Sequence, residues 1–173
     1  MKIWISILMG FSLLFGEITL PKNFQSDFIQ TITNPKKQVI TYEGTVRFSD
    51  QKYFKWTYQT PTQKEVCTDG KELLVVDHDL EQVSAYLIKK GLDVIQVLKG
   101  AKVYKQNIYT TIYEGKQYTI QVDAQGKLQS MAYYDDLDNK VQILFVDMKY
   151  GTTILSKERM RCNYPVGYDR IEG

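Results

Sequence analysis

A mainly β domain of the α+β class, built on one antiparallel sheet that curls or closes, is the fold class this chain predicts. Three observations predict it: runs in which apolar and polar residues alternate, turn signals at short regular intervals between them, and one stretch with helical spacing. Alternation with period two marks a strand with one covered face. Many such strands joined by short turns give a sheet that bends on itself.

Taken in order, residues 18–33 are ambiguous. Phe24, Phe28 and Ile32 have helical spacing, whereas Phe24, Ser26, Phe28 and Gln30 fit one face of a strand, and Pro21 suits a helix first turn. Residues 45–48 alternate, with Val46 and Phe48 on one face. Residues 53–58 repeat the pattern, with Phe54, Trp56 and Tyr58 pointing one way and Tyr53, Lys55 and Thr57 the other. Asp69-Gly70 is a tight-turn signal between Val66-Cys67 and residues 73–76, so this is a hairpin. Residues 83–88 return as another strand.

In residues 92–98, Leu92, Ile95 and Leu98 fall at i, i+3 and i+6, Val94 and Val97 widen the stripe, and Gly91 and Gly100 bracket it. This helix is either a plug that completes the core or a movable lid. Residues 109–113 and 117–122 flank Glu114-Gly115-Lys116 as a second hairpin. Ala124-Gln125-Gly126 turns the chain into residues 127–134, and the polar turn 135–139 leads into 141–150. Gly151 starts the last connection. No repeat or low-complexity linker marks a second domain.

The first residues point to export. Lys2, an apolar run over 3–15 and the small Gly16 form the pattern of a secretory signal peptide, shorter than the roughly 20 residues of a spanning helix. The expectation is a signal peptide over 1–16 and one domain over 17–173, with a core of ordinary size. No cysteine follows the run, so the chain does not read as lipid-anchored. A net charge of +2 over 173 residues argues against electrostatic capture of nucleic acid or an anionic membrane, and export argues against nucleic acid more strongly. In an exported protein the two cysteines, Cys67 and Cys162, can oxidise to a disulfide; the alternative is two buried thiols acting as small hydrophobes.

Catalytic patterns are missing. The single histidine, His78, lies in Asp77-His78-Asp79 beside a turn, where neighbouring side chains on a strand cannot converge on one metal; a solvated loop is the better reading. There is no nucleophile elbow, phosphate loop or zinc pattern. Neither an enzyme nor a metal or cofactor site is expected. Aromatic surface is abundant instead, with thirteen tyrosines, seven phenylalanines and two tryptophans. These either pack into one ordinary core or line the concave face of a curled sheet with room for an apolar ligand.

Spacing then becomes more informative than character. Gly44, Trp56, Pro61, Asp69-Gly70 and Glu81-Gln82 stand at the intervals of the periplasmic outer-membrane lipoprotein carrier family (LolA), without gaps. Phe24, Phe28 and Gln30 resemble its Phe-x-x-x-Phe-x-Gln; residues 118–122, Gly126 and the terminal Pro165-x-Gly167 with Asp169 also fit. The resemblance implies an incomplete antiparallel β-barrel whose apolar concave face is covered by one or two short helices. It resolves residues 24–30 as a strand. It also implies a carrier that takes triacylated lipoproteins from an inner-membrane ABC transporter and delivers them, as a soluble periplasmic monomer, to an outer-membrane acceptor or the membrane itself. Two departures stand out. The family has Arg-Pro, whose arginine helps hold the lid closed, where this chain has Asp50-Gln51, and it has a longer helix before the first strand.

On this reading Val46, Phe48, Phe54, Trp56 and Tyr58 line the acyl-binding cavity, and Leu92, Ile95 and Leu98 cover it. The competing readings are an outer-membrane lipoprotein acceptor of similar fold and an envelope adaptor or scaffold that binds a protein partner through its sheet.

Overall fold

The computed structural model describes residue 18 and residues 21–50, 52–87 and 94–172. The proposed signal peptide lies outside the described residues. Among them, twelve strands form one sheet: β1 (Asn23–Thr33), β2 (Val39–Ser49), β3 (Tyr53–Thr60), β4 (Lys64–Thr68), β5 (Glu72–Asp77), β6 (Gln82–Leu87), β7 (Lys102–Lys105), β8 (Ile108–Tyr113), β9 (Lys116–Val122), β10 (Leu128–Tyr134), β11 (Lys140–Gly151) and β12 (Asp169–Glu172). Two short helices join them, α1 (Val94–Lys99) and α2 (Lys157–Met160). The spatial order is β12-β6-β5-β4-β3-β2-β1-β11-β10-β9-β8-β7, so β12 and β7 are edges and the sheet stays open. This is the incomplete barrel expected.

Residues 24–30 are extended, as the resemblance implied. β1 occupies the middle of the sheet because Phe24 and Phe28 need cover from both halves; it pairs with β2 and β11 along its whole length. The turns form where the short polar residues stand. The Asp69 carboxylate accepts the Lys71 and Glu72 amides at 2.9 and 3.2 Å, and Gly70 takes φ +89°. Asp123 does the same for Gln125 and Lys127, and Asp135 for Leu137 and Asn139. At 114–115 both residues have positive φ, which matches the twist of a two-residue hairpin. Gly44 is required by close approach: a Cβ there would lie 1.9 Å from the Thr57 carbonyl oxygen, beside the bulge between Glu43 and Gly44.

Two features correct the expectations. The sheet is not wholly antiparallel, because β12 pairs parallel with β6. The chain reaches that edge after crossing the outer face, so it arrives from the wrong end for an antiparallel return. His78 is also no freely solvated loop residue. It is half-buried, and its Nδ1 lies 3.1 Å from the Tyr168 hydroxyl, because the C-terminal segment packs over it. Strands β7 and β12 and helix α2 carried no sequence signal: each has four residues, too few to show a period.

Candidate functional site: the concave face

Alternation places Phe24 and Phe28 of β1, Val46 and Phe48 of β2, and Phe54 and Trp56 of β3 on the inner face. The second half of the sheet answers with Tyr118, Ile120 and Val122 of β9, Leu128 and Met131 of β10, and Val141, Ile143 and Phe145 of β11. Val94, Val97, Leu98 and Ala101 of α1 and its exit complete one cluster. Val46 is 0% and Leu98 2% exposed, so the helix sits down on the sheet as a plug. Rings interlock along the cluster: Phe24 stacks on Phe48 at 4.9 Å, Phe28 meets Trp56 edge-on at 4.7 Å, and Trp56 reaches Phe145 of the other half at 6.2 Å.

Five of the predicted lining residues, Val46, Phe48, Phe54, Trp56 and Leu98, fall in this cluster, and Tyr58 packs against it half-buried. Leu92 and the side chain of Ile95 lie outside the described residues. The opposite wall, from Tyr118 to Phe145, was missed as lining. Its alternation was visible, but only the curl of the sheet shows that it faces Trp56.

The two ends of the concave face differ in chemistry. Phe24, Phe48, Phe54, Val122 and Leu128 hold one end. At the other stand Tyr42, Tyr58, Tyr118, Tyr133 and Gln30. The Tyr58 hydroxyl donates to Gln30 Oε1 at 3.0 Å, Tyr42 meets Tyr58 at 5.8 Å, and Tyr118 meets Tyr133 at 5.0 Å. Burial, then the Tyr133 and Tyr42 phenols, push the Tyr58 hydroxyl far above the ordinary tyrosine range. Burial, with Tyr118 and Asp135 behind it, pushes Tyr133 up to about 12.

The outer face over β2–β6 is built differently. The segment after β11 lies across it: Asn23 donates from its side-chain amide to the Thr153 carbonyl, the Leu155 amide donates to Ser49 Oγ at 2.8 Å, and Met160 is buried. Lys55, 4% exposed, pairs with Glu65 at 3.0 Å and donates to the Arg161 carbonyl at 2.7 Å; the Asn163 amide donates to Glu65 at 2.9 Å. Cys67 and Cys162 form a disulfide with Cα atoms 5.7 Å apart. Glu65 lies close to both sulfurs, but the disulfide occupies them and Lys55 holds the carboxylate. A groove of about 350 Å³ remains beside the disulfide, lined by Tyr53, Leu74, Met160 and Tyr164 among others.

Asp50, in place of the family's arginine, lies in the β2–β3 turn with φ +53° and pairs with Lys52 at 3.5 Å; Gln51 lies outside the described residues. Among the described residues, no helix is long and apolar enough to cross a membrane.

The family described as outer membrane lipoprotein carrier protein LolA matches residues 21–94. An outer-membrane lipoprotein carrier protein of Wolinella succinogenes is 31% identical over 137 residues, which cover 79% of this chain and 78% of that protein. One from Campylobacter jejuni is 29% identical over 149 residues, covering 86% and 85%. In fold, the chain is similar to a LolA superfamily protein from Nitrosomonas europaea (TM-score 0.51, 10% identity, 84% of this chain and 93% of that one) and to an uncharacterized conserved protein from Thermus thermophilus (TM-score 0.56, 12% identity, 89% and 92%).

Proposed function

Since this chain belongs to the outer-membrane lipoprotein carrier family, we propose that it shelters the acyl chains of lipoproteins against its concave face while they cross the periplasm. It does so without catalysis: the work is burial and release. The observation that carries this reading is the seal of the inner cluster. In it Val94, Val97 and Leu98 of one six-residue helix are buried in a single apolar cluster with the aromatic rings of the sheet.

Apolar contacts are non-directional, so a methylene chain can replace the helix against the same rings. Each buried methylene contributes about 0.8 kcal/mol, so one sixteen-carbon chain reaches roughly 12 kcal/mol. Two or three such chains, fully buried, would never leave. The closed helix supplies the competition that makes release possible, because its displacement subtracts from the apparent affinity. Val46, Phe48, Phe54, Trp56 and Tyr58 form the wall, and Leu98, with Leu92 and Ile95, the displaced cover.

The finer parts of the reading follow from the family and the leader. Residues 1–16 direct export and are removed, and residues 17–173 act as one soluble monomeric domain. An inner-membrane ABC transporter loads it, and an outer-membrane acceptor or the membrane itself receives the cargo. The test is transfer of a lipoprotein out of inner-membrane vesicles, with wild-type protein and with Trp56→Glu and Leu98→Glu. Wild-type protein should yield a one-to-one complex with the acylated form and none with the unacylated form. Both folded variants should lose transfer. Unchanged transfer by either removes that residue from the cavity, and no wild-type complex with the acylated form sinks the carrier reading.

A further inference from the structure

The polar end of the concave face has more structure than a solvent-facing rim needs. Tyr58 is on β3 and Tyr133 on β10, with β2, β1 and β11 between them. On a flat sheet they would stand about 19 Å apart. Both nevertheless stand at one end of the concave face: Tyr58 packs on Phe28 and bonds Gln30, while Tyr133 stands level with Ile32 through Val141, and both phenols pack against the same apolar cluster. Tyr58 and Tyr133 therefore belong to the same end of the concave face, one from each half of the sheet.

Hydrogen bonding there is incomplete in a specific way. Tyr58 donates to Gln30 Oε1, which turns the Gln30 amide so that its NH2 group is left over. Gln30 itself is buried, at 9% exposure. Among the described residues, neither the Gln30 NH2 group nor the Tyr133 hydroxyl has a hydrogen-bond partner. Among the described residues no fully buried polar side-chain atom lacks a partner, so both groups keep some exposure. They are donors on two strands, β1 and β10, at the polar edge of the apolar cluster.

We propose that Gln30, Tyr58 and Tyr133 form a headgroup subsite that takes the ester and amide carbonyls of a diacylglyceryl-type cargo, and so set the direction in which it loads. The acyl tails enter first and run toward Phe24, Phe48 and Phe54. The glyceryl esters and the N-acyl amide stop at the mouth, where Gln30 NH2 and the Tyr133 hydroxyl donate to carbonyl oxygens. An ester carbonyl is an acceptor only, so a cluster presenting spare donors fits it. A bare hydrocarbon would be held by the phenylalanine end alone. This inference rests on the carrier reading and adds to it a polarity and a set of specificity residues.

The test compares two probes on purified protein. One is a synthetic triacylated lipopeptide; the other is diphenylhexatriene, a hydrocarbon fluorophore with no polar group. Tyr58→Phe and Tyr133→Phe keep the rings and remove only the hydroxyls. Each should weaken the lipopeptide by about fivefold, the scale of one hydrogen bond; Tyr133→Phe, which lies outside the proposed wall, should leave the hydrocarbon probe unchanged. Gln30→Leu should weaken the lipopeptide at least as much. Equal lipopeptide binding by wild type and variants overturns the subsite. Parallel loss of both probes also overturns it, since the residues would then merely shape the chamber; circular dichroism of each variant reports whether the fold is kept. If wild-type protein binds diphenylhexatriene but no lipopeptide, the carrier reading fails, and the subsite with it. If wild type binds the lipopeptide and the variants do too, the carrier reading stands and only the subsite falls.

Discussion

The two faces of this sheet are covered in opposite ways. On the outer face the last segment of the chain is fastened by a disulfide, a buried Lys55–Glu65 pair and amide donors from Leu155 and Asn163. Each of those contacts has one geometry and one partner. On the inner face Val94, Val97 and Leu98 of helix α1 join the same apolar cluster as the aromatic rings of the sheet. A directional contact resists exchange, while an apolar one tolerates replacement by a different hydrocarbon. On the proposed carrier reading, the cover that gives way to cargo is the one on the concave face, while the outer clasp ties the C-terminal segment to β2–β4.

The strongest way to break this comparison is to open the clasp. Joining residues 95 apart in sequence, the disulfide contributes about 4–5 kcal/mol by chain entropy. The Cys67→Ser/Cys162→Ser pair should lose stability on that scale in urea unfolding and leave the affinity for an acylated lipopeptide within twofold. A large rise in affinity would show that the outer face also gates the chamber.

Leu98→Ala comes next. Truncating a fully buried leucine costs about 3 kcal/mol. Here the loss should come with several-fold tighter lipopeptide binding, measured by titration, because the displaced helix competes less well. A loss of stability with weaker binding would make α1 part of the wall instead of its cover. Lys55→Met follows, at about 2–3 kcal/mol, because it leaves Glu65 under the C-terminal segment without its cation. Adding Glu65→Leu should restore much of it, and neither change should touch cargo binding.

The smallest effect concerns pH. The raised hydroxyls of Tyr58 and Tyr133 are favoured neutral in the fold. Their contribution is intact below the unfolded tyrosine value near 10 and is lost as pH rises from there through about 12. The urea midpoint should fall over that window, and Tyr133→Phe should flatten the fall. An unchanged slope in the variant would place that phenol in water.

Much of this arrangement was legible in the residues. Period-two alternation in 45–48 and 53–58 identified Val46, Phe48, Phe54 and Trp56 as one surface, and all four are in the inner cluster. The apolar stripe after Gly91 identified the helix, and Asp-Gly, Glu-Gly and the 135–139 turn marked three connections that form where expected. The strand over residues 23–33 was less legible from its own pattern, because phenylalanines four apart suit a helix face as well as a strand; spacing shared with the family decided it. His78 was misjudged because its neighbour, Tyr168, is 90 residues away in sequence.

What the sequence determined by itself is the local physics: which residues alternate, where the chain must turn, and that the fold is mainly β with an apolar stripe to spare. Those properties depend on residues a few positions apart. Tertiary structure alone decided that Trp56 meets Phe145, that Tyr58 donates to Gln30, that Cys67 joins Cys162, and that Lys55 is buried under Arg161. Each of these depends on how far the sheet curls or on the path of the last segment over its outside. Curl is the sum of small twists over many strand pairs, and no short window of residues records that sum.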